Sequence, residues 1–236
     1  MLRVQRCLSH RIVLLAFLLL LPQSGVAGQE HYAGLDQLDL SQLLAPPPAE
    51  GSARQKQEIA ELLALQAKRT PEQAAFAKAD EELSVIRFGI IFGPAFTADK
   101  LPQAVAFFAK VHENESAATA AVKKYWHRPR PYAVSSELKP CVSMPASASY
   151  PSGHTTFGTV TGILLATMLP EKRDEIFERI DQFGFNRMIG GVHYPSDVAG
   201  GHVAGTVIAA FLMQDKDFQA DFDRAKAEVR AVLGLH

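Results

Sequence analysis

The chain has 236 residues, 47% of them apolar, and its 24 basic and 25 acidic side chains leave a formal net charge of −1. That length is enough for one good core, so a single domain is expected. Without residues 1–27, which hold three arginines and no acid, 24 − 3 = 21 basic residues face 25 acidic ones. This mildly acidic balance, with no basic tail or arginine-rich helix, argues against nucleic acid and anionic membrane surfaces as partners.

Residues 1–27 read as a signal peptide. Arg3, Arg6 and Arg11 precede an apolar run from Ile12 to Leu21, and Pro22, Ser24, Gly25, Val26 and Ala27 supply the breaker and small residues of a cleavage site. The run is about half the length a bilayer span needs, and an uncleaved anchor is the rival reading. Cys7 precedes the run, so it is not placed for lipid attachment, and Cys141 is the only cysteine left after cleavage. No intramolecular disulfide can then form, which leaves a buried thiol or an intermolecular bridge.

Residues 28–50 carry Leu35, Leu38, Leu40, Leu43 and Leu44 before Pro46-Pro47-Pro48, and they read as an extended arm lying on the body. Residues 51–236 form the expected helical domain. Ile59, Leu62, Leu63 and Gln66 recur at helical spacing between Ser52 and Lys68. Thr70-Pro71-Glu72-Gln73 carries a capping hydroxyl, a first-turn proline and a reciprocal glutamine. The helix it starts is expected to run to about Phe92, where Gly93-Pro94 breaks it. Two further helices are expected over Leu101 to His112 and Ala117 to His127. Between them Asn114-Glu115-Ser116 has the form of a glycosylation sequon, relevant only in a eukaryotic host.

The two most apolar later segments, Thr155 to Leu169 and Val203 to Met213, are shorter than a membrane span and read as buried central helices. Gly158 and Gly162, like Gly201 and Gly205, are four apart on one helix face and would let neighbours pack closely. Glu171 to Gln182 and Asp217 to Leu233 are charged amphipathic helices. No stretch alternates as a half-buried strand does, so the predicted class is all-α, a single-domain helical bundle with an extended N-terminal arm.

Three stretches carry chemistry. In K-K-Y-W-H-R-P-R-P (123–131), Lys123 and Arg130 are seven apart, and the prolines end the helix so that Arg130 reaches back over the spot Lys123 occupies. A lysine and a forked guanidinium aimed together suit a doubly charged anion; a solvated basic helix end is the bland alternative. In Y-P-S-G-H-T (150–155), Pro151 is expected to open a helix whose first turn holds Ser152, Gly153 and His154. Free amides and the positive dipole end there bind phosphate, and His154 is placed to hand a proton to a departing alkoxide. In N-R-M-I-G-G-V-H-Y-P-S-D (186–197), a second helix starts at Pro195 with Asp197 in its first turn. That carboxylate can take the Nδ1 proton of His193 and leave Nε2 free to attack, although a buried structural pair would look the same. Gly190-Gly191 turns Arg187 toward the same place. A metal site from His154, His193, Asp197 and His202 is the rival chemistry, disfavoured because Lys123, Arg130 and Arg187 would repel a cation.

Read together as K-x6-R-P, P-S-G-H and R-x5-H-x3-D, the motifs resemble the type 2 phosphatidic acid phosphatase superfamily, and within it the bacterial class A non-specific acid phosphatases. The resemblance extends over most of the chain after residue 27 and includes L-L-A-P-P-P (43–48). It implies a helical bundle in the periplasm that hydrolyses small-molecule phosphate monoesters with broad specificity, without metal or other cofactor, and that vanadate inhibits. His193 would be the nucleophile of a phosphohistidine intermediate, oriented by Asp197, with His154 as acid and then base. Lys123, Arg130, Ser152, Gly153 and Arg187 would hold the phosphate oxygens. The family commonly has serine where this chain has Asn186, which puts the fine tuning of the pocket in question. A non-catalytic exported phosphate-binding protein, or a phosphatase specialised for pyrophosphate or lipid phosphate, is the alternative. No membrane contact is expected after signal cleavage, and homo-oligomerisation is left open.

Overall fold

The structure is a computed structural model that describes Tyr32, Leu35 and residues 38–235. The predicted signal peptide and most of residues 28–37 lie outside the described residues. All regular elements among the described residues are helical, as the sequence predicts.

The arm contains one helical turn, α1 (Leu40–Leu43), where an extended chain is expected. Asp39 caps it through the Ser41 amide, and the turn lets both Leu40 and Leu44 bury. Helix α2 (Ala53–Lys68) starts at the Ser52 cap, and α3 (Pro71–Ala79) starts with the reciprocal Thr70–Gln73 capping box. The expectation that α3 continues to Phe92 fails at Asp80. This buried carboxylate accepts from Arg87, Arg179 and Asn186, at 3.0, 2.8 and 2.7 Å, and the chain leaves the helix to present it. A 3₁₀ turn capped by Ser84 (Val85–Phe88) and the short α4 (Gly89–Phe92) follow, and Gly93, at φ +82°, makes the expected break.

A second correction concerns the middle of the chain. One helix, α5 (Pro102–Trp126), replaces the two expected. The polar residues between the two expected segments are satisfied within the helix: Asn114 Nδ2 donates to Lys110 O at 2.7 Å, and the buried Glu115 accepts from His112 and Thr119. The burial of Asn114, 3% exposed, also removes the sequon from solvent. His127, in the left-handed region at φ 49°, closes α5, and α6 (Pro131–Val134) follows.

Helix α7 (Gly153–Met168) is the centre of the fold, buried on nearly every face. Around it stand α5, α8 (Arg173–Ile189), α9 (Pro195–Leu212) and α10 (Lys216–Val232). The glycine pairs explain how closely α8 and α9 approach. A methyl at Gly162 would lie 2.2 Å from Ile180 of α8, and one at Gly201 of α9 would lie 2.8 Å from the Ser152 carbonyl. Phe107, Phe108, Phe157, Leu164, Phe183, Ile208 and Phe218 fill the core between these helices. Among the described residues no single helix is long and apolar enough to cross a membrane.

Candidate active site

The close approach of α9 to α7 sets two helix N-termini side by side, and the ends of α5 and α8 complete the cluster. Helix α7 begins at Gly153, two residues later than expected, because Ser152 is its cap: Ser152 Oγ accepts from the Thr155 amide at 3.3 Å and the Thr155 hydroxyl at 2.9 Å. Its own proton remains available to donate. Helix α9 begins at Pro195 as expected, with Asp197 in its first turn.

His193 and Asp197 are both buried, with Nδ1 3.1 Å from Oδ2. On the other side of the ring, Arg130 Nη1 lies 2.7 Å from Nε2. A guanidinium has no acceptor, so Nε2 must carry the lone pair and Nδ1 the proton. Arg130 sits past the end of α5, where Ser147 O and Val192 O, both 2.9 Å away, fix its direction. Lys123, in the last turn of α5, donates to Ala148 O and Pro151 O at 2.8 and 2.7 Å, which holds it against the start of α7. A methyl at Gly153 would be 4.0 Å from Lys123 Cε, so the backbone lies open beside the ammonium group. Arg187, in the last turn of α8, is 1% exposed, and its Nε and Nη1 have no hydrogen-bond partner among the described residues. His154 Nε2 lies 3.3 Å from Glu81 O, so the loop after α3 covers that ring.

The charge balance of the cluster favours an anion. Burial, and then Arg130, push Lys123 down to about 7 and Arg187 down to about 10. Burial, and then Arg187, push His154 down to about 3, and burial with Arg130 holds His193 well below the ordinary imidazole value. Desolvation disfavours any charged form, and the crowding of like charges adds to it; a dianion among them would reverse the second effect. His202 does not join the cluster: its Nδ1 is 3.0 Å from Thr159 Oγ1 and its Nε2 is 4.0 Å from Asp181. Beside Lys123, Gly153 and His154 a cavity of about 250 Å³ runs toward His112, Glu115 and Thr119.

Residues 105–220 match the family model described as the PAP2 superfamily. The chain carries a PAP2 superfamily domain. It is 29% identical over 195 residues to a protein named acid phosphatase from Zymomonas mobilis subsp. mobilis, covering 79% of this chain and 74% of that one. It is 32% identical over 162 residues to the non-specific acid phosphatase of Salmonella typhimurium, covering 65% of each chain. Among solved structures, a bacterial vanadium-dependent iodoperoxidase matches with a TM-score of 0.59 at 20% identity, over 75% of this chain and 54% of that one. The last likeness is one of fold. The chain spans just under two thirds of the Salmonella protein and about half of the iodoperoxidase.

The PAP2 match takes in every residue singled out from the three motifs, from Lys123 to Asp197. The structure brings all of them to one place except Asn186, whose amide is spent on Asp80, 2.7 Å away. Sequence reasoning missed Arg128, Ser149 and Glu58. Ser149 Oγ donates to Asp197 Oδ2 at 2.5 Å, and Arg128 Nη1 donates to Asp197 Oδ1 at 2.6 Å. Arg128 is five residues from Lys123, not the seven that single out Arg130. Glu58 lies outside the PAP2 match, yet a signal for it exists: with Gln55 and Leu62 it occupies the buried stripe of α2, where a charge needs a partner.

Proposed function

We propose that the protein is an exported, periplasmic acid phosphatase that hydrolyses small phosphate monoesters of broad specificity through a phosphohistidine at residue 193. The observation that carries this reading is the buried Arg187 with two unpartnered guanidinium nitrogens beside a histidine whose Nε2 holds a lone pair. A buried unsatisfied guanidinium costs stability unless an acceptor meets it, and phosphate oxygens are such acceptors.

In the proposed sequence, the substrate's oxygens engage Lys123, Arg130, Arg187, the Ser152 hydroxyl and the amide of Gly153. Drawing Arg130 onto the phosphate frees the Nε2 lone pair that it otherwise covers. Nε2 then attacks phosphorus, the P–O ester bond breaks, and its electron pair leaves with the alkoxide oxygen. His154 gives that oxygen a proton. Although the ring of His154 is neutral in the protein alone, the bound dianion offsets Arg187 and Arg130 and raises its affinity for a proton. Water next attacks phosphorus and gives its proton to His154; the N–P bond breaks, and inorganic phosphate and the neutral His193 ring are restored. Asp197 stabilises the positive charge on the ring in both steps.

The cationic side chains would supply the charge stabilisation that metal ions give in other phosphatases, and recognition through phosphate oxygens alone accounts for broad specificity. Export follows from residues 1–27, with residues 28–50 as an arm on a single domain spanning 51–236. A denaturing alkaline quench during turnover of a phosphate-labelled aryl phosphate should leave a base-stable, acid-labile adduct that His193→Ala lacks. Turnover without any adduct would refute the covalent route, and hydrolysis lost in excess chelator and restored by zinc would refute metal independence.

A further inference from the structure

Asp197 is shared. Besides His193 it accepts from the Ser149 hydroxyl, the Tyr194 amide and the Arg128 guanidinium. Arg128 is the only cation among these donors, and at 2.6 Å it competes directly with the His193 ring for the charge of the carboxylate. Its other arm, Nη2, lies 2.8 Å from Glu58 Oε2, and its guanidinium stacks 3.9 Å over the Tyr194 ring. Glu58 is itself anchored to the start of α9, accepting from the Ser196 amide at 2.9 Å. The side chains of Glu58 and Asp197 are 0% exposed and that of Arg128 is 2% exposed, so solvent does little to screen the chain.

We propose that Glu58 and Arg128 are positioning residues for the phosphotransfer: Arg128 fixes Asp197 against His193, and Glu58 cancels the charge that Arg128 would otherwise impose on it. The three groups Glu58, Arg128 and Asp197 sum to one negative charge facing the imidazole. Without Glu58 they sum to zero, and the positive ring formed when Nε2 bonds to phosphorus loses its counter-charge. Helix α2, outside the PAP2 match, thereby becomes part of the catalytic apparatus of this chain.

The inference rests on His193 being the nucleophile. Its test compares Glu58→Gln, Glu58→Asp and the double variant Glu58→Gln/Arg128→Gln, using an aryl phosphate, with inorganic phosphate as competitive inhibitor. E58Q should lower kcat and the rate of adduct formation about tenfold or more while the inhibition constant for phosphate changes less than twofold, because the cage cations are untouched. E58D, which keeps the charge, should restore kcat to within about threefold. The double variant returns the sum to one negative charge, and its kcat should exceed that of E58Q. A purely structural role predicts the opposite order, since two buried side chains are then altered. E58Q with wild-type kcat, or a double variant no faster than E58Q, overturns the inference. If E58Q does not fold, E58D and the double variant are compared with wild type, and a loss beyond a hundredfold in the double variant overturns it. Absence of the adduct from the wild-type protein would instead refute the phosphohistidine reading itself.

Discussion

Replacing Gly201 with alanine tests how far the site depends on the contact between α7 and α9. The added methyl would lie 2.7 Å from Thr155 Cβ and 2.8 Å from the Ser152 carbonyl, whereas ordinary contact begins near 3.4 Å. The carbonyl belongs to the cap of α7 and cannot swing aside, so α9 must retreat by about 0.6 Å, with an overpacking cost of about 1–3 kcal/mol. His193 and Asp197 travel with α9, while Ser152 and Gly153 stay with α7. Since a 1 Å misplacement costs on the order of a hundredfold in rate, roughly a tenfold fall in kcat is expected. Gly205→Ala makes a similar clash one turn further along, with Thr159 Cβ at 2.6 Å and the Thr156 carbonyl at 2.8 Å. It should lose comparable stability with a smaller loss of kcat. Urea denaturation and initial rates on an aryl phosphate measure both. If Gly201→Ala is as stable and as active as the parent, the helices have slack and the reasoning fails.

Four other outcomes are expected. Isothermal titration at pH 8 in buffers of different ionisation heat should show proton uptake when phosphate binds, because Lys123, held at about 7, gains an anionic partner; proton-neutral binding would count against the depressed value. His154, with a folded value of about 3, opposes folding increasingly as pH falls from its unfolded value of about 6.5 toward 3. The urea midpoint should therefore drop over that window, less steeply in His154→Ala and in saturating phosphate. Asp80→Ala leaves the buried Arg179 without its carboxylate and should cost about 3–5 kcal/mol in the same assay. Thr70→Ala removes the hydroxyl half of an exposed capping box and should cost about 1 kcal/mol without altering kcat.

The parts of this molecule that were legible in the sequence are those fixed by local chemistry. The Thr70-Pro71 and Tyr194-Pro195 helix starts, the glycine pairs and the His193–Asp197 spacing each depend on residues within a turn of one another. The misreadings share the opposite origin. Nothing near Asp80 in the chain announces that it will be met by Arg179 and Asn186, about a hundred residues away, so the end of α3 was not visible locally. The continuity of α5 depends on whether Asn114 and Glu115 find partners inside the helix, a question of burial that polarity alone answers wrongly. Ser152 reads as a first-turn residue until Thr155 claims its oxygen. Glu58 becomes meaningful only when Arg128, seventy positions later, is seen at its side.

The guanidinium lying on His193 Nε2 has one more implication. A nitrogen bare enough to attack phosphorus would also react with whatever small electrophile diffused past, and under the proposed export outside the cytoplasm it would meet many. On the proposed reading the resting enzyme is sheathed, and the same cation that welcomes the ester unsheathes it. Selectivity would then begin before any bond is made, because only a molecule able to lure Arg130 away ever meets the reactive ring.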